Sequence, residues 1–143
     1  MWVSTHVLAG LAIAAILGGP WWLVAGLVVL AHVVMDFIPH WDYSAVRYPA
    51  PYAAADFLAS LTALMLCWLG LGMPFWMVFM GALSGAPDWD VLIATWRGEG
   101  ARQWFPSHWR SFPHGRCGRP FGIGVQIAIM AVSAAAVAAR WPY

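Results

Sequence analysis

Four short stretches of this 143-residue chain carry nearly all of its acid groups. They are His32-x3-Asp36, Pro39-His40-Trp41-Asp42, Asp56 and Pro87-Asp88-Trp89-Asp90. Of the six acidic residues only Glu99 lies outside them. The chain as a whole is 62% hydrophobic and 9% charged, so several of these carboxylates fall inside or beside apolar runs. A carboxylate taken out of water needs a cation, a proton or a metal. Imidazole and carboxylate together favour zinc, manganese, iron or a similar ion over calcium, which takes oxygen ligands.

The local spacings suit such a site. His32 and Asp36 are four apart and stack on one helix face. Pro39 ends that helix, and the next turn folds His40 and Asp42 back. Asp88 and Asp90 follow Pro87 and offer two carboxylates where that turn is irregular, a geometry tolerated at membrane depth only inside protein or around a wet cavity. The candidate ligands are His6, His32, Asp36, His40, Asp56 and Asp88. Asp42, Asp90 and His108 are the candidate acid/base residues, and His108 or His114 is a candidate either to complete the coordination or to act as acid/base. This set exceeds the needs of one tetrahedral ion. It implies two divalent ions, or one ion with a separate base and supporting carboxylates. Plainer roles exist for each residue alone: His6 as an interhelical hydrogen-bonder, Asp42 as a turn residue, Asp56 as an N-cap, Asp88 bonded within its own turn. A proton or cation pathway is the other use of buried Asp and His.

The elements that would position these residues are apolar helices. Mean hydropathy is +0.70 and there is no lysine. The expected fold is all-α, a polytopic integral membrane protein forming a single domain over 1–143. Five transmembrane helices are expected at about 3–19, 21–38, 53–71, 74–94 and 120–140, with a polar loop at 95–119. Each is near the ~20 residues that cross ~30 Å of hydrocarbon. Gly18-Gly19-Pro20 and Gly70-Leu71-Gly72-Met73-Pro74 supply the tight turns. Pro20-Trp21-Trp22-Leu23-Val24 is echoed by Pro74-Phe75-Trp76-Met77-Val78, and each opens a helix ending in a proline-aspartate cluster. The pattern reads as two pseudo-repeated helical hairpins plus a fifth helix, whose Ser133-Ala134-Ala135-Ala136 face suits close packing. The first helix has no basic region before it and is expected to be retained. Cys67 lies in an apolar run and Cys117 in the loop, and they give no disulfide framework.

Alternating helix directions bring His6, the 32–42 clusters, Asp56 and Asp88/Asp90 to one end. Arg47, Arg97, Arg102, Arg110, Arg116 and Arg119 share that side, and Arg140 stands opposite. The arginine-rich side is expected to be cytoplasmic, with the N-terminus inside and the C-terminus outside. The tryptophans of the 95–119 loop read as an interfacial belt at anionic headgroups. Arg97, Arg102 and Arg110 are the candidates for gripping an anionic substrate headgroup. No nucleic-acid partner is expected.

Thr5-His6, the string His32-x3-Asp36-x2-Pro39-His40-x-Asp42, and Gly85-x-Pro87-Asp88-x-Asp90 resemble the pattern of small bacterial membrane-bound metal-dependent hydrolases, the LexA-regulated, YdjM-like group. The resemblance covers about residues 4–90. It implies a multi-pass protein of the bacterial cytoplasmic (inner) membrane, with a divalent metal such as zinc and a lipid or phosphoester substrate. Where that family carries a His-Arg-x-x-Thr-His-Ser-like segment, this chain has His108-Trp109-Arg110 and His114. The leading expectation is a membrane-embedded metal-dependent hydrolase working at the cytoplasmic interface, with the bilayer and its anionic headgroups as partners. The alternatives are a non-catalytic accessory subunit of a larger respiratory or photosynthetic complex that keeps a metal site, or a proton or cation carrier assembled as a homo-oligomer.

Overall fold

The computed structural model describes residues 1–43, 46–97, 102–109 and 111–141, without the side chains of 92, 95 and 96. The protein is all-helical: α1 (Val3–Leu17), α2 (Trp21–Phe37), α3 (Ala50–Met65), α4 (Phe75–Gly85), α5 (Trp89–Arg97) and α6 (Arg119–Arg140). Among the described residues no strand forms, and one isolated bridge pairs His40 with Arg116.

The helix ends follow local chemistry. Gly18 closes α1 in the left-handed region, φ 55°, with its N–H on the Ala14 carbonyl. Pro20 then opens α2, because its fixed φ suits the approach to a helix start and it lacks a donor there. Gly72 (φ 64°) and Pro74 repeat this device before α4. Pro51 lies in the first turn of α3, so this helix begins three residues before the expected 53. α3 continues through a π-turn, Leu66–Gly70. The expected 74–94 helix is interrupted. Pro87 cannot donate to the preceding turn, and a 3-10 turn, Ala86–Asp88, separates α4 from α5. That break aims Asp88 inward.

α1 sits at the centre and packs against α2, α3, α4 and α6. Its apolar residues run all round, as a helix enclosed on every side requires. Val7, Leu11, Ala12 and Ala14 meet Val24 and Val28 of α2, Met77, Val78 and Met80 of α4, and Val137 of α6. α1 and α4 cross closely through glycine. A Cβ on Gly10 would collide with the Ser84 side chain and the Met80 carbonyl, and one on Gly81 with Leu11. Gly81-x3-Gly85 thus forms the small-residue seam of the crossing.

The outer surface is apolar. Trp21, Trp22, Leu30, Leu58, Leu61, Leu69, Phe121 and Val132 are exposed. Two helical spans, Ala50–Gly70 (21 residues) and Arg119–Arg140 (22 residues), are long and apolar enough to cross a membrane. Only 11% and 22% of their apolar windows are buried within the protein, so most of that surface faces outward. α1 and α2 are apolar but shorter, with 15 and 17 residues.

The crossing yields a test. Gly10→Ala should destabilise the protein by about 1–3 kcal/mol through overpacking. Gly26→Ala, where a Cβ meets open space, should leave stability unchanged or raise it by up to about 1 kcal/mol. Equal melting temperatures for the two variants in detergent would contradict the close α1–α4 contact.

Candidate metal centre

Five histidines and two aspartates from five separate stretches meet at one end of the bundle. α1 contributes His6, one turn from its start. α2 contributes His32 and Asp36 from its last turns, and His40 follows just beyond. The 3-10 turn after α4 contributes Asp88. Residues 102–109 and 111–118 fold back over the group and insert His108 and His114. His6, His32, Asp36 and His40 have no solvent exposure at all, and Asp88 is 9% exposed.

The imidazoles are held by one nitrogen each. His32 Nδ1 is 2.7 Å from the Ser84 carbonyl, and His40 Nδ1 is 2.8 Å from the Ile38 carbonyl. His108 Nδ1 is 2.5 Å from Asp90 Oδ1, and His114 Nδ1 is 3.4 Å from the Ser107 carbonyl. These partners only accept, so each Nδ1 carries the proton and donates it. In its neutral form each ring then turns Nε2 inward. Ligand histidines are oriented in this way by outer carbonyls and carboxylates.

What the Nε2 atoms face is other acceptors. His32 Nε2 lies 3.5 Å from His108 Nε2 and 3.3 Å from Asp36 Oδ2. His108 Nε2 lies 3.3 Å from Asp88 Oδ1. His40 Nε2 lies 3.1 Å from His114 Nε2. His6 stacks on His32, with ring centroids 3.8 Å apart, and its Nε2 is 3.5 Å from Asp36 Oδ1 and 3.8 Å from Asp88 Oδ2. Both ring nitrogens of His6 and Asp88 Oδ2 are buried without a hydrogen-bond partner. Lone pairs packed against lone pairs require a positive charge among them. The spacing suits a metal, because bonds of ~2.0–2.1 Å in a tetrahedron put ligand atoms ~3.4 Å apart. Three sets of ligand atoms are close enough to hold an ion: His6, His32 and Asp36; His32, Asp88 and His108; and Asp36, His40 and His114.

The loop histidines differ electrostatically. Burial, then the nearby Met1 amino group, lowers the His40 pKa to about 4. Burial likewise lowers that of His114. For His108 burial acts in the same direction, but the hydrogen bonds and charges of Asp88 and Asp90 outweigh it and raise the pKa. His40 and His114 are thus neutral, ligand-ready rings at neutral pH, and His108 is the ring most drawn to positive charge.

The remaining expected residues lie elsewhere. Asp56 stays apart from the three sets. Its oxygens accept from the Val3 and Ser4 amides at 2.7 and 3.0 Å and from the Tyr43 hydroxyl at 3.2 Å. It therefore caps the open end of α1, whose first amides lack helical partners. Asp42 stands beside Arg116, with Oδ2 and Nη2 3.6 Å apart, rather than against the histidines. Asp90 supports the cluster from behind. Besides His108 it accepts from the Trp104 and Phe105 amides at 2.8 and 2.6 Å, and so ties the loop to α5. His108 reaches the ligand atoms themselves, a different placement from an acid/base residue at the edge. Arg97 and Arg102 are exposed, with the Arg97 guanidinium over the Trp104 ring. Arg110 lies outside the described residues.

His114, with no helical register to place it, was expected along with His108 either to complete the coordination or to act as acid/base, and it reaches the ligand atoms. Two participants had no assigned role in the sequence reading. Ser107 donates to Asp36 Oδ2 at 2.7 Å. Gln126, fully buried, accepts from the Trp2 amide at 2.7 Å and donates to the Trp41 carbonyl at 3.0 Å. As the one amide side chain in the apolar run of α6, Gln126 carried a usable signal.

No family model matches this chain, and no curated protein or solved structure is significantly similar to it.

Asp56 and Asp90 separate the two kinds of carboxylate. Asp56→Ala should cost roughly 1–2 kcal/mol of stability, in the range of lost helix caps, and leave metal content unchanged. Asp90→Asn should weaken divalent-metal binding about 10–100-fold, as loss of an outer partner does. Competition against a chromophoric chelator measures the latter, and an unchanged affinity would mean that Asp90 does not orient His108.

Proposed function

We propose that this protein is a membrane-embedded, metal-dependent hydrolase that acts on a lipid or phosphoester-type substrate at the cytoplasmic face of a bacterial inner membrane. The observation that carries this reading is the inward convergence of four Nδ1-anchored imidazoles on Asp36 and Asp88. The sequence resemblance to small membrane-bound metal-dependent hydrolases points the same way. A divalent ion such as zinc, held by His32, Asp88 and His108 with His6 and Asp36 adjoining, would lower the pKa of a bound water and polarise a phosphoryl or acyl group.

The chain's own residues divide the remaining work. Asp88 Oδ1 lies 3.3 Å from His108 Nε2, while its Oδ2 makes no hydrogen bond and lies 3.8 Å from His6 Nε2. This oxygen accepts the proton of the attacking water. Asp90 holds His108 in the tautomer that leaves Nε2 bare. Arg97 and Arg102, with Arg110, attract the anionic headgroup. An apolar cavity of about 380 Å³ lined by Val29, Leu83, Pro87, Trp89, Trp104 and Phe105 adjoins Asp90 and suits an acyl chain.

Membrane embedding by five spans, α1, α2, α3, α4–α5 and α6, is supported by the outward-facing apolar surface. α1 and α2 reach only about 22 and 26 Å at ~1.5 Å per residue. The ~30 Å hydrocarbon core would thin around them or admit their polar ends. Arg47, Arg97, Arg102, Arg116 and Arg119, the described arginines expected at the cluster end, favour that end as cytoplasmic.

One feature favours a second reading. Structural metal sites are closed, whereas catalytic ones keep an open position, and here four of the seven residues are wholly enclosed. A non-catalytic subunit of a larger membrane complex, retaining its metal, fits that closure.

Detergent-purified protein should contain tightly bound zinc, manganese or iron, lost in Asp36→Ala. In mixed micelles the metal-loaded wild type should hydrolyse glycerophospholipid or phosphodiester test substrates. Folded wild type that takes up no metal would refute the metal reading. Metal-loaded protein inert on those substrates, and recovered within a larger complex, would favour the accessory subunit.

A further inference from the structure

The two oxygens of Asp36 serve different neighbours. Oδ2 lies 3.3 Å from His32 Nε2 and 3.6 Å from His108 Nε2. Oδ1 lies 3.5 Å from the Met1 amino group, 3.5 Å from His6 Nε2 and 4.0 Å from His114 Nε2. His40 Nε2 adjoins His114 Nε2 on this second side. His40 donates from Nδ1 to the Ile38 carbonyl at 2.8 Å, so its Nε2 lone pair faces His114 Nε2 at 3.1 Å, while His114 Nδ1 lies 3.4 Å from the Ser107 carbonyl.

This second pair is rigidly built. The His40 amide donates to the Gly115 carbonyl at 2.6 Å, the Gly115 amide to the Asp36 carbonyl at 2.8 Å, and the Cys117 amide to the His40 carbonyl at 2.9 Å. A Cβ on Gly115 would strike the Phe37 and Ile38 carbonyls. Only glycine permits this approach, and the approach brings His114 to His40.

We infer that the site holds two divalent cations bridged by the Asp36 carboxylate, the second of them ligated by Asp36, His40 and His114. This rests on the reading of the cluster as a metal centre and adds the number and arrangement of the ions. Transition ions of the zinc, manganese or iron class suit the two imidazoles and one carboxylate. One ion at His32, Asp88 and His108 would leave the His40–His114 pair with no metal and only the Met1 amino group as a nearby cation. A second ion gives the His40–His114 pair a shared ligand set with Asp36 and gives the carboxylate a reason to divide its oxygens.

The experiment is metal stoichiometry on detergent-purified full-length protein, stripped with chelator and reloaded with Mn²⁺, read by elemental analysis and by electron paramagnetic resonance. Wild type should bind two Mn²⁺ per chain and give the broadened spectrum of an exchange-coupled pair. His114→Ala and His40→Ala should each bind one and give the resolved six-line signal of an isolated ion. Melting curves matched to wild type with one ion removed establish that each variant is folded, and agreement between the two guards against failure of either one. One Mn²⁺ per wild-type chain, or two uncoupled ions, overturns the bridged pair while leaving a single-metal centre standing. Two coupled ions retained in a folded His114→Ala also overturn it. Folded wild type that binds no Mn²⁺ and no zinc overturns the metal reading itself.

Discussion

Asp36 is a carboxylate with no solvent exposure inside an apolar helical bundle. Water would solvate it generously, and the protein interior does not. Everything around it answers that deficit. His32 reaches it from one turn earlier on α2, His6 from the centre of the bundle, and Ser107, His108 and His114 from the folded-back loop. Yet these groups bring mostly lone pairs. Four imidazoles direct Nδ1 to outward partners and the Met1 amino group, 3.5 Å from Asp36 Oδ1, brings one positive charge, so a metal cation would complete the balance of Asp36 and Asp88 together.

The bundle is shaped to make that arrangement possible. α1 must come close enough to α4 for His6 to stand beside Asp88, and glycines 10, 81 and 85 remove the side chains that would hold the helices apart. The same crossing buries α1 almost completely, which is tolerable because that helix is apolar around its whole circumference. Its open N-terminal amides need acceptors, and Asp56 and Gln126 supply them from α3 and α6. Dense packing and polar satisfaction thus converge on one helix end, next to the candidate ligands.

Pro87 links chemistry to fold in a second way. By interrupting the path from α4 to α5 it turns Asp88 towards His32 and His108, and sets Asp90 one step behind, where it grips His108 and two loop amides. The loop is therefore fastened on both flanks, by Asp90 near its start and by the backbone bonds between residues 36–40 and 115–117 near its end. A segment rich in tryptophan and arginine becomes a cover for buried polar groups, while its arginines on the described part remain outside.

Helix locations, the glycine-proline turns and the pairing of His32 with Asp36 were legible in the sequence, because each depends on residues within a turn or two of one another. The break inside the 74–94 segment was only half legible: Pro87 announced irregularity, but not that a separate helix follows. The partners of the isolated carboxylates were not legible. Asp56 and Asp88 look alike as single acids near helix ends. One meets the amides of α1 and the other meets imidazoles, according to how far α3 and α4 stand from the bundle axis. Asp42 and His114 belong to irregular segments without periodicity, where a one-residue change in loop path exchanges inward for outward. The sequence by itself determined an apolar helical chain whose acids and histidines must find partners, since burial leaves them no alternative. Only the tertiary structure decided which partners, because contacts between residues 36 and 114 or 56 and 3 depend on helix crossing and backbone approach rather than on any local spacing.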